Sequence, residues 1–289
     1  MRDPYLDYVC GFEELLRQGD TLNNAVPPPP IQPLVADDAP VCLVFSPHPD
    51  DEVIAGALPW RLRSEAGWRV INIAVTLGSD VGRRAARWRE LTRCCSHLGF
   101  ELYSAIGTPG VAFERVRPLT TAAADDSPQR DANVARISAL IQQYRPRVVV
   151  CPHALDGHPT HIGTHDLVVA ALRRAAPHWR LHVLFSEYWN TQMNPALMVP
   201  LDGQQVATLV GALGLHTGEV ARNPYHLSLP AWFIDAARRG AERVGPAGGP
   251  ATAAVFAALY GWSCWQDDRL SPMPAQIAPG GRAITGLFV

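Results

Sequence analysis

Val41-Cys42-Leu43-Val44-Phe45-Ser46-Pro47-His48-Pro49-Asp50-Asp51-Glu52 runs from a wholly apolar stretch straight into one histidine and three acids. The apolar run, bounded by turn chemistry, reads as a buried strand, and Val53–Leu62 after it reads as a helix. The polar cluster thus sits at the carboxyl end of a strand, where open α/β sheets bind their ligands. Three consecutive carboxylates beside an imidazole repel one another unless a proton or cation neutralises them. A divalent metal is the simplest neutraliser.

Outward from this stretch, strand and helix patterns alternate. Arg69–Thr76, Phe100–Tyr103, Arg147–Cys151 and Leu181–Tyr188 read as strands, and Val53–Ser64, Arg83–Leu98, Ala132–Tyr144 and His161–Ala175 as helices. The alternation predicts an α/β, Rossmann-like fold, a mostly parallel sheet with helices on both faces. Beyond Asn190 the pattern weakens. Val206–Leu215, Ala231–Ala241 and Thr252–Tyr260 read as helices, and Tyr260-Gly261-Trp262-Ser263-Cys264-Trp265 resists assignment. Residues 5–18 form an amphipathic helical pattern, and Val26-Pro27-Pro28-Pro29-Pro30 must run extended. The expected organisation is an N-terminal extension over 1–39 with a proline-rich linker, then a single domain over 40–289. Thr120–Ser127 reads as a mobile polar loop.

With 289 residues, 47% of them hydrophobic and 18% charged, the chain can bury a large core. A formal net charge of −2 gives no field to recruit nucleic acid or an anionic membrane. No run of 18 apolar residues and no signal-like start is present, so a soluble, cytoplasmic protein is expected. The six cysteines form no C-x-x-C pair, and Cys42 and Cys151 lie inside apolar runs. They read as buried free thiols of a reducing compartment.

A second polar cluster follows the strand Arg147–Cys151: His153, Asp156-Gly157-His158-Pro159-Thr160-His161 and His165. If both strands are parallel, both clusters lie on one rim of the sheet. Imidazole and carboxylate are the donors zinc prefers, and a catalytic zinc needs about three protein ligands and an open position. His48 and Asp51 can converge across the start of a helix, and one imidazole of the second cluster would complete the set. Singly, a histidine at a strand end is usually an ordinary hydrogen-bonded residue, and an acid after a strand is often a helix cap. Two such clusters on one rim are harder to explain that way.

Ser46-Pro47-His48-Pro49-Asp50-Asp51-Glu52 resembles the first signature of the PIG-L/LmbE-like deacetylases, zinc enzymes that remove acetyl from N-acetylglucosamine-type sugars. Gly157-His158-Pro159-Thr160-His161 is similar to their second signature, His-Pro-Asp-His, with threonine replacing aspartate. Between them, Thr76-Leu77-Gly78, Arg87-x-x-Glu90 and Leu98-Gly99 resemble the intervening region. The similarity covers roughly residues 41–190. It implies an LmbE-like three-layer fold, with His48, Asp51 and His161 holding Zn2+ or another divalent metal. It further implies Asp50 as general base, and His158 as the group that stabilises the oxyanion or protonates the leaving amine. Glu52 is expected to act as a cap or as an acceptor behind the ligands. His165 is a rival ligand with a structural role favoured, and His153 is expected to be a loop residue. Because Thr160 carries no charge, either Asp156 or Asp166 takes over the role of the missing aspartate, or His158 works with a lower pKa.

Arginines 83, 84, 87 and 89 crowd another strand's rim, and Arg87 is the candidate for substrate contact. Tyr188, Trp189, Tyr225, Trp232, Trp262 and Trp265 are candidate sugar-stacking faces. The resemblance implies a metal-dependent deacetylase of a small amino-sugar-type substrate, with no nucleic-acid or membrane partner. Hydrolysis of a different amide at the same centre and a non-catalytic binding protein stand as alternatives, and homo-oligomerisation stays open.

Overall fold

Side chains of the first strand, β1 (Val41–Ser46), alternate between two cores. Cys42 and Val44 point into one, while Leu43 and Phe45 point into the other, all of them fully buried. A strand covered on both faces must sit inside a sheet flanked by two helical layers, which is why it is apolar throughout. The computed structural model describes residues 3–19, 22, 28–105, 116, 128–175, 178–245 and 253–289.

Helix α1 (Pro4–Gly19) precedes β1. After β1 come α2 (Asp51–Ile54), α3 (Ala57–Ala66), β2 (Arg69–Ala74), α4 (Arg84–Leu98) and β3 (Glu101–Ser104). Then follow α5 (Pro128–Tyr144), β4 (Val148–Pro152), α6 (Pro159–Ala175) and β5 (Leu181–Ser186). The remainder holds β6 (Leu197–Leu201), α7 (Gly203–Gly214), α8 (Thr217–Val220), α9 (Tyr225–Arg243), β7 (Phe256–Gln266), β8 (Arg269–Pro272) and β9 (Gln276–Ile277).

The strands join in one sheet of order β3-β2-β1-β4-β5-β7-β6-β9, with β8 on β7. From β3 to β5 every pairing is parallel, whereas β7 runs antiparallel to both β5 and β6. The mostly parallel Rossmann-like reading therefore holds. Helices α5 and α6 cover the Leu43–Phe45 face, and α3, α4 and α7 cover the Cys42–Val44 face. Because β2 and β4 flank β1 on opposite sides, the chain reverses its order between β1 and β4. That reversal opens a crevice at the carboxyl ends of these two strands.

Two readings of the sequence need correction. Val53–Ser64 is two helices, not one, because the chain turns sharply at Gly56. A Cβ on Gly56 would lie 2.6 Å from the carbonyl oxygen of Glu52, so no other residue fits without rearrangement. Of the helix read over Thr252–Tyr260, Phe256–Tyr260 is the beginning of the long strand β7, where Ala257 and Ala258 turn to opposite sides of the sheet. Helix propensity lost here to pairing on both edges. The unassigned Tyr260–Trp265 segment is the rest of that strand.

In the extension, Gln32 donates to the carbonyl of His97 at 3.2 Å, and Arg63 donates to that of Pro33 at 2.8 Å. The extended segment thus lies on α3 and α4. Helix α1 buries none of its side chains among the described residues. Val26, Pro27 and the Thr120–Ser127 loop lie outside the described residues. All cysteines are free; Cys10 is exposed and the other five are buried. No described helix is long and apolar enough to cross a membrane.

A candidate metal centre at the sheet reversal

The loops after β1 and β4 meet at the crevice. His48 Nδ1 lies 3.2 Å from His161 Nε2, and Asp51 Oδ2 lies 3.4 Å from each of these nitrogens. Ligands on a tetrahedral zinc with bonds of about 2.0–2.1 Å stand about 3.3–3.4 Å apart. The triangle therefore fits one ion, and its donors are of the right kind. Helix α2 carries Asp51 in its first turn, where the same Oδ2 accepts the His48 backbone N–H at 2.8 Å. Helix α6 starts at Pro159 and presents His161, fully buried, toward β1.

Burial pushes the Asp51 carboxyl up, but the imidazoles of His161 and His48 outweigh it and hold the group below the usual carboxylate range. For His161, burial lowers the pKa, while Asp51 and then Asp156 raise it above the ordinary imidazole value. Asp156 Oδ1 sits 3.5 Å from His161 Nδ1, a nitrogen that has no closer partner. A carboxylate behind the second ring nitrogen is the arrangement that orients a metal-bound histidine. Tyr188 packs edge-on against the His161 ring, with centroids 4.7 Å apart.

Asp50 stands beside the triangle but outside it. Its backbone has φ 108°, a conformation rare for any residue but glycine and costing about 1–3 kcal/mol. Burial, reinforced by Asp51, pushes its carboxyl well above the ordinary value against the pull of Arg87. His158 forms a third imidazole, with its ring 5.0 Å from that of His48 and 5.2 Å from that of His161. Its Nδ1 accepts the backbone N–H of Thr160 at 3.1 Å. A neutral ring therefore carries its proton on Nε2. Burial and the two neighbouring imidazoles lower its pKa.

Asp156 faces His161 and accepts the His158 backbone N–H at 3.0 Å, so His158 has a lowered pKa and a tautomer fixed by backbone. His165 Nδ1 bonds to the Pro152 carbonyl at 3.0 Å, and its ring packs on Phe185, away from the triangle. His153 has both ring nitrogens on backbone, at Asn190 O and Leu155 N, and is the expected loop residue.

A cavity of about 820 Å3 opens over the triangle. Its walls bring together Arg83, Arg87, Glu219, Arg222, Trp189 and Tyr225. Arg87 donates to the Pro49 carbonyl at 3.0 Å and lies 3.9 Å from Asp50 Oδ2 and 3.8 Å from Glu219 Oε2. Burial raises the Glu219 pKa, but Arg222, Arg87 and Arg83 together hold it below the usual range. Of the aromatic candidates, Tyr188, Trp189, Tyr225 and Trp232 line the cavity, whereas Trp262 and Trp265 are buried in the cores. A smaller cavity of about 330 Å3 shares Ile54, Tyr188 and Trp232 with it but touches no histidine of either cluster.

The region beyond Asn190 supplies more of the site than its weak pattern implied. His216-Thr217-Gly218-Glu219 packs against the first motif and against Arg83 and Glu90 of α4 and the turn before it. His216 Nε2 meets Glu52 Oε1 at 2.7 Å, while Thr217 Oγ1 and Gly218 N donate to Glu90 at 2.8 and 2.9 Å. Arg83 donates to Gly218 O and to Glu219, each at 3.1 Å. The only advance signal was a histidine two residues from a glycine on either side, in the break between two helix patterns. Glu52, expected as a cap or as an acceptor behind the ligands, accepts the Asp50 backbone N–H at 2.9 Å.

Residues 43–172 match the family model PIG-L, described as GlcNAc-PI de-N-acetylase. The matched span carries both histidine clusters. Over this span the chain is similar to the PIG-L family. The 1D-myo-inositol 2-acetamido-2-deoxy-α-D-glucopyranoside deacetylase of Mycobacterium sp. (strain KMS) is 30% identical over 168 residues, covering 50% of this chain and 53% of the relative. The chain thus spans about half the length of the curated relatives it matches. Among solved structures, N,N′-diacetylchitobiose deacetylase from Pyrococcus horikoshii superposes with a TM-score of 0.53 at 14% identity, covering 94% of each chain. GalB, the 4-carboxy-2-hydroxymuconate hydratase of Pseudomonas putida, reaches 0.56 at 15% identity, covering 77% of this chain and 95% of its own. A deacetylase and a hydratase share this fold, so the activity of this chain has to be read from its site.

Proposed function

We propose that this chain is a zinc-dependent N-deacetylase that removes acetyl from an N-acetylated amino sugar or its conjugate. The triangle of His48, Asp51 and His161, with sides of 3.2–3.4 Å and Asp50 beside it, carries the reading. These three residues would hold the ion. When bound, zinc supplies a polarised carbonyl and a water whose pKa falls to about 7.

The remaining roles fall to the chain's own groups. Asp50 takes the proton from the attacking water, and burial raises its proton affinity above that of an ordinary carboxylate. His158, with Nδ1 already occupied, turns an Nε2–H toward the oxygen that gains charge, an effect on the order of 3 kcal/mol. The proton that Asp50 has taken passes to the departing amine, so His158 keeps its Nε2–H throughout. Trp189, stacked near His158 and 59% exposed, offers with Tyr225 a face for a sugar ring. Arg87, held on the Pro49 carbonyl, is the proposed hydroxyl or anion donor nearest the base.

Amino-sugar conjugates are favoured because both named deacetylases are named for such compounds. Chelated protein resupplied with zinc is expected to release acetate from a panel of N-acetyl sugars, glycosides and nucleotide sugars. Asp50→Ala is expected to lose about 10²-fold or more in kcat while retaining zinc. No acetate from any member of the panel overturns the reading, and undiminished release by Asp50→Ala overturns the base assignment.

A further inference from the structure

Glu52 is fully buried one residue past a proposed ligand, and both its oxygens are committed. Oε2 accepts the N–H of Asp50, the residue with the strained backbone, at 2.9 Å. Oε1 meets Nε2 of His216, 1% exposed, at 2.7 Å. Cys94 also approaches, and the three groups lie within ligand range of one another. A second ion is nonetheless a poor fit: 2.7 Å is a hydrogen bond, well inside the separation of about 3.3 Å that two ligands keep on a tetrahedral zinc.

His216 is itself rigidly placed. Its carbonyl accepts the N–H groups of Glu219 and Val220, each at 2.9 Å, at the start of α8. The next two residues are tied to Glu90. A fixed donor therefore holds a buried carboxylate, and that carboxylate holds the main chain of Asp50.

We propose that His216 is a positioning residue for Asp50, acting through Glu52, so that the segment after α7 sets the aim of the base. The inference rests on the reading of Asp50 as the base. Without the imidazole, Glu52 has one partner fewer and can turn, and the strained φ of Asp50 loses its lock.

The test compares zinc-loaded wild type with His216→Leu, His216→Gln and Glu52→Gln. It measures kcat, KM, zinc content and amide hydrogen exchange of a peptide spanning residues 46–56. In His216→Leu, kcat is expected to fall about 10–100-fold with KM within about twofold, zinc retained and exchange at 46–56 faster. Glutamine can still donate to Glu52, so His216→Gln should recover kcat to within about threefold of wild type. An unchanged kcat and exchange in His216→Leu, loss of zinc in both His216 variants, or a glutamine no better than leucine overturns the proposal. If His216→Leu does not fold, Glu52→Gln decides: lowered kcat with faster exchange supports it, and wild-type values overturn it. A wild type inactive on every substrate, with exchange still quickened in the variants, overturns the deacetylase reading and leaves the positioning intact.

Discussion

The guanidinium of Arg87 occupies the space that a side chain on Gly78 would need. A Cβ built on Gly78 would collide with Arg87 Nη1, and the glycine has φ +86°. Arg87 in turn braces the Pro49 carbonyl, one residue before the proposed base. Gly78→Ala is thus expected to lower activity about tenfold or more, by displacing Arg87, and to cost about 1–2 kcal/mol for the left-handed backbone. Steady-state kinetics and thermal unfolding would check both, and full activity in a folded variant would refute the bracing role.

Thr160 supplies its backbone N–H, not its side chain, to His158 Nδ1. Thr160→Pro removes that donor within the first turn of α6, where proline is tolerated. Its kcat is expected to fall about tenfold or more, whereas Thr160→Asp keeps the donor and should stay within about threefold. Equal kcat in both variants would show that the hydrogen bond does not set the tautomer.

Asp156 faces the second ring nitrogen of His161. Asp156→Asn replaces an ionised acceptor by a neutral amide, and zinc affinity is expected to drop about 10–100-fold. Competition against a chelating dye measures this directly. Unchanged affinity would place Asp156 outside the support of the centre.

His182 gives a pH dependence separate from the site. Burial, with help from Arg180, lowers its pKa from 6.5 to about 4, and its Nδ1 accepts the indole N–H of Trp262 at 3.1 Å. The unfolded chain binds a proton here as pH falls below 6.5, while the folded chain resists until about pH 4. Stability should therefore be lost as pH falls through that window. His182→Gln keeps an acceptor for Trp262 but cannot titrate, so its profile of thermal midpoint against pH should be flatter over the same range. Parallel profiles would assign the acid sensitivity elsewhere.

The part of the site legible in the sequence was the part built from short-range geometry. His48 and Asp51 share one turn, His158 and His161 another, and the apolar runs before them announced two strands. Parallel alternation then put both turns on one rim. His216 could not be found that way, because its meaning lies in a contact with Glu52, 164 positions earlier. Glu52 was legible only in part. An acid after a strand reads as a cap or as an acceptor behind the ligands, and its two partners, the Asp50 N–H and His216, are fixed only by the fold. The first residues of β7 were read as helix because alanine-rich local preference says nothing about two edges waiting to be paired.

His48 and His161 stand 113 residues apart in the chain and meet only once β1 and β4 are side by side. Closing so long a loop costs entropy before any contact rewards it. An ion held by the proposed ligands would accordingly clasp an assembled sheet and would not seed it. In stopped-flow experiments zinc should slow unfolding of the native protein while leaving the refolding rate of the chelated chain unaltered.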